Sequence, residues 1–179
     1  MQFAQNYIES ARFEFERYKL LGDRTLEQLS EQDLQWTYGP TDNSIALIVK
    51  HMVGNMLSRW TNFLTEDGEK TWRHRDEEFT LPPVTKVETI DLWNKGWDCL
   101  FQALDQLSNE NFNVTIKIRN EDHTLVEAIN RQLAHYANHV GQIVLIGKMR
   151  KGKEWLPLSI PKGGSISFNK EKFGTNLNL

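Results

Sequence analysis

Residues 124–151 read TLVEAINRQLAHYANHVGQIVLIGKMRK, and within them Leu125, Ile129, Leu133, Tyr136, Val140, Ile143 and Val144 recur at three- and four-residue steps. That is the spacing of one face of an α-helix, expected to start near Thr124, run to about Lys151 and stop before Gly152. His135 and His139 stand four positions apart, one turn along that helix, on the flank of the apolar stripe beside Ala128 and Gln132. Two imidazoles at this spacing can reach one metal ion. With five His in the chain, such a pair also arises by chance.

Three more segments share the helical period. Phe3, Tyr7, Ile8, Ala11, Phe15 and Tyr18 mark a first helix, which Gly22 is expected to end. A cap signal in TDNS opens a second, with Ile45, Ile48, Val49, Met52, Val53, Met56, Leu57 and Trp60 on one broad stripe. After Leu64 the polar run TEDGEKTWRHRDEEF breaks the pattern. Beyond Pro82-Pro83 a third helix sets Ile90, Trp93, Trp97, Leu100, Phe101, Leu104 and Leu107 on one face, with Gly96 allowing a close helix contact.

Residues 112–119, FNVTIKIR, alternate apolar and polar and predict a short strand or hairpin before the turn-like NED. The tail WLPLSIPKGGSISFNKEKFG mixes proline and glycine with isolated apolar residues. It is expected to be extended, with Trp155 and Phe168 pinning it to the rest. The pattern predicts an all-α four-helix bundle with a short β-hairpin or strand before the last helix. It forms one domain over 1–179, with its core in 1–152 and an extended tail in 153–179.

Composition narrows the function classes. The chain has 179 residues, 39% hydrophobic and 25% charged, with six Trp and nine Phe, enough apolar surface for a continuous core. A net charge of -3 offers no broad positive field, which argues against nucleic-acid binding. The single cysteine, Cys99, suits a reducing compartment and excludes a multi-cysteine zinc site within the chain. The opening MQFAQNYIESARFEFERYK carries charges throughout, and nowhere do about 18 apolar residues run uninterrupted. The expectation is a cytoplasmic protein with no membrane partner.

His51 on the second helix also sits just outside its apolar arc, on the side shared with Asn55 and Ser44. Three imidazoles at stripe margins either converge where two helices meet or make ordinary half-buried hydrogen bonds. His74, between Arg73 and Arg75, and His123, in an expected turn, are weaker candidates. Tyr136 follows His135 where a zincin protease carries Glu, and no Asp or Glu neighbours any of the three His in sequence. No general base is therefore evident, and any activation must come from the metal itself. Cys99, with no adjacent basic residue, reads as a structural thiol, and Trp93 and Trp97 read as core.

With KHMVGN at 50–55 on the second helix and HYANHVGQ at 135–142 on the last, roughly residues 1–152 resemble the DinB-like superfamily of metal-binding four-helix bundles. That superfamily includes bacillithiol- and mycothiol-dependent transferases. The segments GEKTWRHRDEEF and WLPLSIPKGGSISFN are similar to those of a subgroup of Gram-positive bacterial members. The resemblance implies that His51, His135 and His139 hold zinc or nickel, with open positions for water or substrate. It also implies a homodimer, and a metal-dependent transferase joining a low-molecular-weight thiol to a small electrophile. The alternative is a metal- or partner-binding protein without turnover. An anionic thiol needs polar and cationic partners, and Asn55, Arg73, Arg75 and Arg131 are the candidates. For Arg73 and Arg75 the competing reading is a solvated loop in which Asp76, Glu77 and Glu78 pair with them.

Overall fold

The computed structural model describes residues 2–174. Its elements are α1 Gln2–Gln28, α2 Glu31–Gln35, α3 Ile45–Trp60, α4 Lys86–Leu104, β1 Thr115–Ile118, β2 Glu121–Thr124, α5 Leu125–Lys151 and α6 Ser165–Phe173. Short 3-10 turns span Arg75–Phe79 and Gly152–Glu154. The protein is thus mostly helical, with one small antiparallel sheet ahead of the last long helix. Among the described residues no helix is long and apolar enough to cross a membrane.

Helix starts follow their side chains. Ser30, Ser44, Thr85 and Thr124 each accept a hydrogen bond from a backbone N–H of the first turn. At Ser30, Thr85 and Thr124 the residue three positions on, Asp33, Glu88 or Glu127, returns the bond to the cap backbone. Each such cap contributes about 1 kcal/mol.

The four long helices share one core, which takes in Phe15, Met52, Met56, Trp93, Trp97, Leu100, Ile129, Tyr136 and Ile143. Glycines set the approach of three helix pairs. A Cβ on Gly96 of α4 would stand 2.9 Å from Met56 Sδ and Val53 Cγ2 on α3, so this glycine does permit the close contact read from the sequence. One on Gly147 of α5 would stand 2.8 Å from Thr25 Cγ2 on α1.

Gly22 corrects the sequence expectation. It does not end α1, which continues to Gln28. A Cβ there would lie 2.3 Å from Cζ2 of Trp93 on α4, so the glycine makes room for an indole rather than for a turn. The Trp93 N–H donates to Asp23 Oδ1 at 2.7 Å and holds the ring in that notch. Helix α1 persists because Leu26, and Leu29 just past its end, are buried.

The tail is a second correction, since α6 occupies Ser165–Phe173 where extended chain was expected. Pro157 and Pro161 lie upstream, and Gly163 at φ 83° turns the chain before the helix starts. Residues 165–173 contain neither proline nor glycine, and Lys170 and Lys172 in the last turn suit the helix dipole. The tail is pinned mainly by α1: Arg24 donates to the Leu158 carbonyl at 2.8 Å, and Gln28 exchanges hydrogen bonds with the Leu156 backbone. Trp155 lies near Gly147, whereas Phe168 stays 43% exposed and anchors little.

The alternating segment forms β1, and its partner β2 comes from the residues read as a turn. Ile118 pairs with Glu121 across a two-residue connection, Arg119 and Asn120, at φ 56° and 61°. Both in the left-handed region is the geometry of a type I′ hairpin. The Asp67 carboxylate accepts from the backbone N–H groups of both, at 2.8 and 2.7 Å, and stitches the hairpin to the loop after α3.

Alanine at Gly22 should therefore destabilise even though alanine favours helix by about 1 kcal/mol, because overpacking against Trp93 costs about 1–3 kcal/mol. At Gly141, where an added Cβ meets nothing within 4 Å, the same change should stabilise by about 0.5–1 kcal/mol. Denaturant unfolding of the two variants checks the opposite signs; equal shifts would show that Gly22 makes no close contact.

Candidate metal centre

Helix α3 supplies His51, and α5 supplies His135 and His139. Their relative height is locked by a buried network beside them. The Tyr136 hydroxyl donates to Asn55 Oδ1 at 3.0 Å and accepts the Trp60 N–H at 3.1 Å, joining α5 to α3 one turn from His51. Burial raises the Tyr136 pKa, so the phenol stays protonated and can donate.

The three imidazoles meet through their Nε2 atoms. His135 Nε2 is 3.4 Å from His51 Nε2 and 3.0 Å from His139 Nε2. One ligand nitrogen from each His lies within 4.8 Å of the other two. Nitrogens about 2.0–2.1 Å from one tetrahedral zinc ion stand about 3.3–3.4 Å apart, so the observed spacing brackets what one ion requires.

Two of the outer nitrogens are already engaged. His51 Nδ1 is 2.9 Å from Glu78 Oε2, and His139 Nδ1 is 2.9 Å from Gln142 Oε1. Carboxylate and amide oxygens only accept, so each Nδ1 carries a proton, and in the neutral ring Nε2 is then the nitrogen left with a lone pair. Neighbouring groups oppose protonation as well. Burial, then the cost of a second charge beside His139 and His51 and the charges of Arg73 and Arg59, holds the His135 pKa down to about 3. Burial also lowers that of His139, against an opposing hydrogen bond to Gln142. Three imidazole nitrogens gathered this closely could hold a metal ion.

Glu78 corrects the sequence reading. No carboxylate neighbours the three His in sequence, yet this one arrives from 27 positions away and lies 6% exposed behind His51. Burial raises its pKa, but hydrogen bonds from His51 and Arg73 outweigh that and keep it below the usual carboxylate range. It faces the outer nitrogen of His51, so it orients the imidazole rather than serving as a base at the converging atoms. Phe79 stacks on the His51 ring at 4.8 Å between centroids.

The other candidate residues fall in different settings. Arg73 pairs with Glu78 at 2.7 Å, as the solvated-loop reading allowed, but its side chain is only 3% exposed, so the pair is buried. Arg75 and Arg131 are exposed and, with Arg73 and Asn55, line a cavity of about 220 Å3 that opens onto His51 and His135. Asn55 Oδ1 is committed to Tyr136. His74 and His123 lie outside the cluster. Cys99 is half-buried with its thiol pKa raised by burial, consistent with a structural role.

Sequence reasoning named Glu78 only as a loop partner of Arg73 and Arg75, not as a partner of His51, and missed Gln142, Arg59 and Arg119. One local signal pointed to Glu78: Gly54, one turn after His51, leaves a hole on the same helix face. A Cβ there would lie 2.2 Å from Glu78 Oε1.

Residues 2–164 match the model of a family described as protein of unknown function (DUF1572). Comparisons with curated proteins and with solved structures give no match.

Gly54→Ala should displace a carboxylate that Arg73 and His51 hold in place. The expected result is zinc affinity lowered about 10–100-fold, the usual effect of losing an outer partner of a ligating His, with the fold retained. Competition against a chelating dye, with circular dichroism alongside, checks it; unchanged affinity would remove Glu78 from any part in the site.

Proposed function

The chain belongs to the DUF1572 family, and from its site geometry we propose a divalent-metal protein of the DinB-like four-helix-bundle kind that transfers a low-molecular-weight thiol to a small electrophile. The observation that carries the reading is the convergence of three Nε2 atoms while Glu78 and Gln142 occupy two of the outer nitrogens. Ordinary half-buried histidines have no need to bring three ring nitrogens to one point. Zinc or nickel suits an all-imidazole donor set, whereas magnesium and calcium prefer oxygen.

Three protein donors leave tetrahedral coordination incomplete, which favours a reacting site over a closed structural one. A bound divalent ion supplies Lewis-acid charge that favours the thiolate form of a thiol, the nucleophilic form. The protein's own part is to hold the imidazoles oriented, to oppose protonation of His135 and His139, and to line the adjoining space with guanidinium groups. Glu78 is taken up by His51 and Arg73, so it does not serve as the base for the incoming thiol. The same reading places the protein in the cytoplasm as a homodimer.

Zinc titration of metal-free protein should show about one tight site, and zinc at a hundredfold its Kd should add about 2.7 kcal/mol to unfolding. His135→Ala and His139→Ala should abolish that gain; if they keep it, the metal lies elsewhere. Turnover is read separately, by incubating zinc- or nickel-loaded protein with bacillithiol or glutathione and a panel of epoxides and alkyl halides. Metal-dependent conjugation is expected. Its absence with metal binding intact would leave a binding protein instead of a transferase.

A further inference from the structure

The cavity beside the three histidines is lined by five arginines, Arg59, Arg73, Arg75, Arg119 and Arg131, and by no carboxylate among the described residues. Ion pairs reach only part of this set. Glu69 pairs with Arg59 at 3.3 Å and with Arg119 at 2.9 Å and lies 4.0 Å from Arg73, while Glu78 pairs with Arg73 at 2.7 Å. Arg75 and Arg131 make no ion pair among the described residues. Five guanidinium charges against those two carboxylates leave a surplus of three. Counting Asp67, whose oxygens bond the backbone of Glu69, Arg119 and Asn120, still leaves two.

That surplus is partly buried, where water compensates it least. Arg59 is 5% exposed, and its Nε has no hydrogen-bond partner. Burial, together with the charges of Arg73 and Arg119, outweighs Glu69 and lowers its pKa. Gln132, 2% exposed on the same wall, leaves its Oε1 unpartnered. A buried guanidinium N–H without an acceptor, in a cavity lined by four other guanidinium groups, is the donor side of a recognition site whose acceptor is an anion.

We propose that this cavity binds a small organic molecule carrying at least two negative charges on oxygen, as a dicarboxylate or a phosphate monoester. Guanidinium forks match the geometry of both groups. The volume, about 220 Å3, suits a small molecule. His51 and His135 line the same space, which places the anion beside the converging Nε2 atoms. Assigning the anion to the reacting thiol rests on the metal-transferase reading above; its binding to the arginines does not.

The test uses full-length, chelator-treated protein at low salt, with succinate, inorganic phosphate and acetate as probes followed by calorimetry. Succinate or phosphate should bind at least roughly tenfold tighter than acetate, since losing a charged hydrogen bond costs about that factor or more. Succinate ahead of phosphate marks a dicarboxylate site, and the reverse marks a phosphate monoester site. The double variant Arg75→Ala/Arg131→Ala changes only exposed side chains and should weaken the dianion by roughly a hundredfold. Equal binding of acetate and both dianions, or an unchanged Kd in the double variant, overturns the proposal. Zinc titration of the same samples keeps the two readings apart. Lost zinc binding with dianion selectivity intact sinks only the metal reading, and zinc binding without dianion selectivity sinks only this one.

Discussion

Glu78 carries a negative charge into a place with little water, and the surroundings are arranged to keep it there. His51 Nδ1 stands 2.9 Å from one oxygen, and Arg73 reaches the carboxylate with Nε at 2.7 Å and Nη2 at 3.0 Å. Gly54 leaves the space it fills, and Phe79 closes over the imidazole. Removing one partner from a buried charge pair typically costs about 3–5 kcal/mol, so this cluster is maintained as a unit or lost as one. Through it the irregular chain between α3 and α4 is fastened to the helix that carries His51. Lys50, the preceding residue, adds to that hold by donating to the carbonyls of Glu77, Thr80 and Leu81.

The same cluster reconciles two charges that oppose each other. Five arginines and a divalent cation would repel if placed side by side in a medium of low polarisability. Glu78 sits between the Arg73 guanidinium and the His51 imidazole, Glu69 offsets Arg59 and Arg119, and the His135 ring resists protonation at the common edge. A cation held by the imidazoles and an anion held by the arginines would support one another electrostatically.

Legibility in the sequence followed the reach of local periodicity. The start of α3 at Ser44, the whole of α5 and the buried tryptophans of α4 were readable because each is dictated by neighbours within four positions. His135 and His139 belong to that class; His51 did not, since the packing of α3 on α5 depends on the distant Tyr136–Asn55 bond. Gly22 was misread because a helix-ending glycine and a glycine notched for an indole look alike until the partner helix is in place. The tail was misread because its two prolines coloured a segment whose helical part lies after them. Glu78 escaped for a further reason: three consecutive acids, Asp76, Glu77 and Glu78, are indistinguishable in composition, and only the 3-10 turn selects the one that faces inward.

The two walls of the cavity differ in how they are made. His51, His135 and His139 stand in the middle turns of α3 and α5, where backbone hydrogen bonds are flanked on both sides by further helix. Arg73, Arg75 and Arg119 come from irregular chain and a hairpin turn held by side-chain contacts. Such segments open at a lower free energy than helix interiors, so the two walls belong to different stability classes. Arg75 and Arg119 can shift while the Arg73–Glu78–His51 cluster keeps its place. Motion of that rim is then set by the local stability of the loop and hairpin, separate from the slow unfolding that would scatter the three histidines.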